Sequence, residues 1–252
     1  KAIAQDFAKG VSLLDDSLSY DPLSAERWAW GASLLTEKAI KTKDKDAYQK
    51  ALDYCSKAIK LDSYNLKILN SIEKNYVNLD QYGKAIEVAQ AIVKVNPLAP
   101  DCYENMAYVH VLAGISAMNK GDMKSAQSYC EDTIDISENV PLTIDSPPVG
   151  LDLFSGQAEL LLGNRAKGES LLESMINATG VDKRGEISEE RSVQLQNYKY
   201  KAKAWLAASL ESSGNAAAAQ NIIAEVPAAS QNDLNNEIKM AKTQLNKSLA
   251  SN

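Results

Sequence analysis

Apolar residues recur at helical spacing along most of the chain. In the stretch 51–62, Leu52, Tyr54, Ile59 and Leu61 share a stripe with two small residues, Ala51 and Ala58, two turns apart. That pattern predicts an amphipathic helix whose alanines mark where a neighbouring helix touches and leaves room for little beyond Cβ. Val11, Leu14 and Leu18 predict a helix over 2–20, and the run from Trp205 to Leu210 predicts another. A shorter helix is expected over 216–226. Leu234, Ile238, Ala241 and Leu245 line one side of a last predicted helix, 233–250, with Asp233 as its expected N-cap.

The helices come in repeating pairs. Tyr20-Asp21-Pro22, Leu61-Asp62-Ser63 and Val95-Asn96-Pro97 are turns, each followed by a large residue at Trp28, Leu69 or Tyr103. A second landmark, a bulky residue, two polar ones and an alanine, falls at Ala51, Ala85 and Ala126. Trp28 to Leu69 is 41 residues and Leu69 to Tyr103 is 34, whereas Ala51 to Ala85 is 34 and Ala85 to Ala126 is 41. One unit therefore has 34 residues, and two carry seven more between their landmarks. Seven residues add two helical turns but rotate the apolar face by only about 20°, so the packing stripe survives.

From about Gly10 to Glu138 this resembles the tetratricopeptide repeat (TPR), a helix-turn-helix unit of 34 residues. The resemblance implies an all-α, right-handed helical-hairpin solenoid, a TPR-like superhelix with a C-terminal capping helix. Region 1–138 is then the TPR array: an orphan second helix, 2–20, followed by three hairpins, two of them with seven-residue insertions. Pro141, Pro147 and Pro148 make 139–150 a loop, and 151–252 reads as degenerate helical repeats and a cap. Gly156 and Gly168 are expected at close-packed positions, and Gly163 as a helix terminator. Trp28→Ala is expected to cost about 3 to 5 kcal/mol as a core cavity. Lys1 in place of Met, with the orphan helix, suggests a segment of a longer polypeptide.

Composition narrows the function. The 252 residues are 45 % hydrophobic and 24 % charged, ordinary for a folded protein. A formal net charge of −6 argues against nucleic acid as a partner, which needs a clustered basic face. No apolar window approaches the length of a membrane span, so this segment is not expected to insert. Cellular side stays open, cytoplasmic or tethered through sequence outside this one. Three cysteines, Cys55, Cys102 and Cys130, without CxxC spacing, read as core residues and predict neither disulfides nor a metal site.

Catalytic patterns do not assemble. His110, between Val109 and Val111, falls where the repeat keeps a core residue. The stretch Gly163 to Ser170 nearly matches a phosphate-binding loop, but Glu169 stands where its lysine belongs, so it repels phosphate. Asp44 and Asp46 lack the glycine and bidentate glutamate of a calcium loop and read as a solvated turn that caps the next helix. No cofactor is implied, and the chain is expected not to be an enzyme. A glycan-active enzyme, the alternative, needs two carboxylates roughly 5 to 10 Å apart in a cleft.

In TPR arrays the first helices line a concave face, which the resemblance places at Trp30, Ser33, Lys67, Asn70, Lys74, Glu104, Asn105 and Tyr108, with Glu26, Glu37, Ser71 and Asp101 beside them. The family's carboxylate clamp is not reproduced, since Ala29 and Ser33 stand where its first Lys and Asn belong. What remains is a groove of mixed polarity with two aromatic candidates, Trp30 and Tyr108, suited to an extended peptide or protein partner, or to a sugar ring, unless the rings pack between helices. Segments 61–65 and 96–107 also resemble the soluble repeat region that follows the membrane helices of some bacterial O-antigen ligase or polymerase-like proteins. That resemblance implies an accessory role, docking partner enzymes or positioning a glycan chain.

Overall fold

The computed structural model describes residues 2–141, 148–181, 185, 187–227 and 230–248, the side chains of 2–5 excepted. These residues form twelve helices and no strand: α1 (Ala2–Tyr20), α2 (Ala25–Thr42), α3 (Lys45–Leu61), α4 (Leu66–Asn78), α5 (Tyr82–Val95), α6 (Pro100–Asn119), α7 (Met123–Glu138), α8 (Leu151–Leu162), α9 (Arg165–Asn177), α10 (Glu189–Ser212), α11 (Ala216–Ala224) and α12 (Gln231–Leu245). The fold is an all-α helical-hairpin repeat of the solenoid class. It divides into two compact units, Lys1–Pro97 and Leu98–Asn252. Of the predicted loop 139–150, residues 142–147 lie outside the described residues.

One turn recurs in every hairpin. Lys43, Asp80, Gly121, Gly163 and Gly214, each just after the first helix of a pair, all have positive φ, between 55° and 88°. The next residue is the N-cap of the second helix: Asp44, Gln81, Asp122, Asn164 and Asn215. Left-handed backbone reverses the chain within one residue, and the polar residue after it satisfies orphan N–H groups where its side chain reaches them. Asp44 Oδ1 accepts from the N–H groups of Asp46 and Ala47 at 2.9 and 3.0 Å, and Asp122 Oδ1 from that of Ser125 at 3.1 Å. Four residues beyond the cap stands a small residue, at Ala85, Ala126, Gly168 and Ala219, all buried. Within 1–138 the long first helices are α2 and α6, 18 and 20 residues against 13 in α4, which is where most of the extra length went.

In the first unit, α2 pairs with α3, α4 with α5, and α2 with α4. Helix α1 lies on α2 through Leu14, which is fully buried and fills the space a Cβ on Gly31 would need, 2.8 Å away. Trp28 departs from the expected core role. Its side chain is half-buried, edge-on to Tyr54 at 4.7 Å, with Lys57 Nζ 5.3 Å from its ring and its Nε1–H donating to Pro22 O at 2.8 Å. A partly solvated indole leaves a smaller cavity than a core one. Trp28→Ala is therefore expected to cost about 2 kcal/mol, below the full-cavity range, as read by urea denaturation.

The second unit stacks α6 with α7, α8 with α9, and α10 with α11 and α12. Its core joins Met118, Leu153, Phe154, Leu161, Leu172, Met175, Trp205 and Leu206. Helix α12 adds Leu234, Ile238 and Ala241, as the apolar pattern predicted. Its N-cap is Ser230, not Asp233. The helix starts two residues earlier than expected, which puts Asp233 in the first turn, where its charge meets the positive end of the helix dipole.

Candidate functional site

The first helices of the first unit present a polar floor. Ser33 on α2 and Ser71 on α4 place their hydroxyls 3.2 Å apart, and Asn75 Nδ2 donates to Ser33 Oγ at 3.1 Å. The residues arrive there by helical register: Ser71 and Asn75 are one turn apart on α4, and Ser33 faces both. Around this floor lies a cavity of about 340 Å³ lined also by Thr36, Glu37, Ile40, Lys41, Lys74 and Asn78. Thr36 Oγ1 is buried without a hydrogen-bond partner. An unmet buried hydroxyl costs about 1 to 3 kcal/mol, so it is a stored demand for an acceptor.

The same two helices carry exposed groups. Trp30 is 59 % exposed and Ile40 53 %. Lys67, Asn70 and Lys74 lie along α4, and neither lysine has an ion-pair partner among the described residues. Glu37, by contrast, is held by Lys41 one turn on. Although the chain as a whole is negative, the free charge on α4 is positive.

The predicted residues separate into two groups. Trp30, Ser33, Lys67, Asn70 and Lys74 belong to α2 and α4 of the first unit, and of these Ser33 and Lys74 line the cavity. Glu104, Asn105 and Tyr108 lie on α6 in the second unit, where the face is covered by the chain itself. Glu104, expected on an open groove, is 1 % exposed. Its Oε1 accepts from Val149 N–H at 2.5 Å and its Oε2 from Gln194 Nε2 at 3.2 Å, and the Tyr198 hydroxyl and Gly150 N–H also bond the carboxylate. Burial, with Asp101 nearby, pushes its pKa up to about 6 against these hydrogen bonds. Tyr108 packs on Phe154 at 5.5 Å, with Lys201 Nζ 5.8 Å from its ring, so it offers no open platform. Asn105 is half-buried beside them.

Sequence reasoning missed Thr36, Ile40, Lys41, Asn75 and Asn78. The signal was present, since Thr36 and Ile40 follow Ser33 at +3 and +7, and Asn75 and Asn78 follow Ser71 at +4 and +7. His110 is buried, its Nδ1 2.8 Å from Met106 O, and faces Tyr129. Burial pushes the Cys55 and Cys130 thiols up to about 12, which makes them poor nucleophiles. Gly156 and Gly168 occupy the close contact of α8 with α9, and Gly163 ends α8 at φ 88°. Among the described residues no three His, Cys, Asp or Glu side chains could hold a metal ion, and no helix is long and apolar enough to cross a membrane.

No protein-family model matches the sequence, and no curated protein matches it. Among solved structures the chain is similar to a thermophilic TPR protein of Thermus thermophilus, at 18 % identity over 83 % of this chain and 98 % of that one, with a TM-score of 0.47. It is similar to PilF of Pseudomonas aeruginosa at 15 % identity over 96 % and 92 %, TM-score 0.45. A third similar structure is YrrB, described as a TPR protein with an unusual peptide-binding site, at 13 % identity over 90 % and 95 %, TM-score 0.41.

Proposed function

We propose that the chain is a non-catalytic interaction scaffold that binds a partner protein as an extended peptide along the α2/α4 face of its first unit. The carrying observation is the floor of Ser33, Ser71 and Asn75 with Lys74 lining its cavity and no ion pair to that lysine among the described residues, while Trp30 stands exposed one turn before Ser33 on α2. Exposed aromatic surface on a helix that also presents polar side chains is what a bound backbone uses: the ring supplies buried area, the amides and hydroxyls match peptide N–H and C=O. The glycan alternative loses support at Tyr108, whose ring is packed against Phe154. A role beside a membrane glycopolymer ligase rests on the turn segments 61–65 and 96–107 alone.

The test is selection of binders from a phage-displayed library of random twelve-residue peptides on the full chain. Trp30→Ala is expected to weaken selected binders about tenfold or more, with an unchanged melting temperature because the ring is largely solvated. Binders indifferent to alanine at Trp30, Asn70 and Lys74 together would seat elsewhere and end this reading.

A further inference from the structure

The α2/α4 face carries more than a general affinity for peptides. Its two exposed apolar side chains, Trp30 and Ile40, are ten residues apart on one helix, about 15 Å along the axis. Between their levels lie the Ser33, Ser71 and Asn75 floor and the buried, unpartnered hydroxyl of Thr36. Lys74 lines the same cavity and carries a charge that no described residue answers, while the cavity's own anion, Glu37, is occupied by Lys41.

These spacings fit a particular ligand. An extended strand rises about 3.3 Å per residue and points alternate side chains the same way, so positions 1, 3 and 5 face one wall and 1 and 5 lie about 13 Å apart. Resting on the peptide reading above, we infer that this face selects an internal segment with the pattern apolar, any, acidic, any, apolar. The outer side chains cover Trp30 and Ile40. The central carboxylate enters the cavity, where it meets the Lys74 ammonium and the Ser71 hydroxyl, and rotation of Thr36 about χ1, for which a helical threonine has two populated wells, turns its hydroxyl to the arriving acceptor. Because the acid is a side chain and not a chain end, the segment needs no free C-terminus. Glu26, exposed one turn before Trp30, disfavours further acid beyond that end.

Two measurements decide it. The peptides selected above are aligned, and a probe capped at both ends, acetyl-Gly-Ser-Leu-Ser-Glu-Ser-Leu-Ser-Gly-amide, is titrated with two relatives, one with Lys in place of Glu and one with the second Leu moved by one position. Expected are an enriched 1, 3, 5 pattern, at least tenfold weaker binding of both relatives, and preference for the Lys relative once Lys74→Glu reverses the wall. Selected binders that need Trp30 but are neutral or basic between their apolar residues, or that bind Lys74→Glu equally well, overturn this pattern while leaving the groove in place. A selection with no Trp30-dependent binder overturns both.

Discussion

Replacing Gly168 by valine is expected to unfold much of the α8/α9 contact and to lower stability by about 3 kcal/mol or more. A Cβ at this position would sit 2.7 Å from Leu160 Cγ and 2.9 Å from the carbonyl oxygen of Gly156. The side chain of Leu160 can shift; the backbone of Gly156 cannot do so without moving α8. The two glycines answer each other, since a Cβ on Gly156 would lie 3.1 Å from Gly168 O and 3.0 Å from Leu172, which is itself fully buried. A loss of that size corresponds to a fall in melting temperature of about 6 to 12 °C for a chain of this length. The contrasting substitution is Gly83→Ala, where a Cβ meets nothing within 4 Å and the φ is an ordinary helical one. That variant is expected to gain up to about 1 kcal/mol from the restricted unfolded chain. Equal melting of Gly168→Val and the parent protein would mean that α8 and α9 are not in backbone contact.

Gly168 also marks where the repeat stops being legible in the sequence. Ala85 and Ala126 announce themselves because a bulky residue and two polar ones precede each of them, at a spacing of 41. Gly168 and Ala219 hold the same place, four residues after an N-cap, with their N–H bonded to the cap's carbonyl as in the earlier hairpins. Their neighbours no longer match, and α10 has grown to 24 residues, so the later hairpins look degenerate in letters while the backbone repeats faithfully. What specifies the later four hairpins is local: a residue with positive φ, an N-cap position, then a small residue four further on, a place that Tyr48 takes in the first hairpin. Glycine at 121, 163 and 214 advertises the turn, but Lys43 and Asp80 perform it without any letter to mark it.

The site was legible in part for a related reason. Periodicity says which face of α2 or α4 is not core, and so finds Trp30, Ser33, Asn70 and Lys74. It says nothing of what lies above that face. On α6 the same register gives Glu104 and Tyr108, yet Val149, Gly150 and α10 cover them through contacts spanning 45 and 90 residues of sequence. Side chains that meet across such distances leave no trace in a local pattern, which is why Trp30 stays open and Tyr108 does not.

Glu104 is where that long-range contact can be weighed. Its carboxylate joins α6 to the segment ahead of α8 and to α10, where Gln194 Nε2 also donates to the Tyr198 hydroxyl at 2.8 Å. Glu104→Ala removes the acceptor of Val149 N–H and opens a void, and is expected to cost about 3 kcal/mol in urea denaturation near pH 4, where the parent's carboxyl is protonated. Glu104→Gln tests the charge alone. Its amide oxygen can accept from Val149 N–H, and if the Gln194 amide turns over, the new NH2 finds that side chain's oxygen. In the parent protein the carboxyl pKa rises from 4.5 unfolded to about 6 folded, because burial outweighs the hydrogen bonds. The folded state therefore holds this proton more tightly than the unfolded one, so the group favours folding most below pH 4.5 and loses that advantage as pH rises through 6. The loss amounts to about 2 kcal/mol, at 1.36 kcal/mol per pKa unit. Glutamine cannot titrate. The stability of Glu104→Gln relative to the parent should accordingly climb by about 2 kcal/mol between about pH 4 and pH 7.5, all other groups cancelling in the difference. A difference that stays flat over that interval would mean that the carboxylate remains solvated, and with it that the segment ahead of α8 does not seal α6.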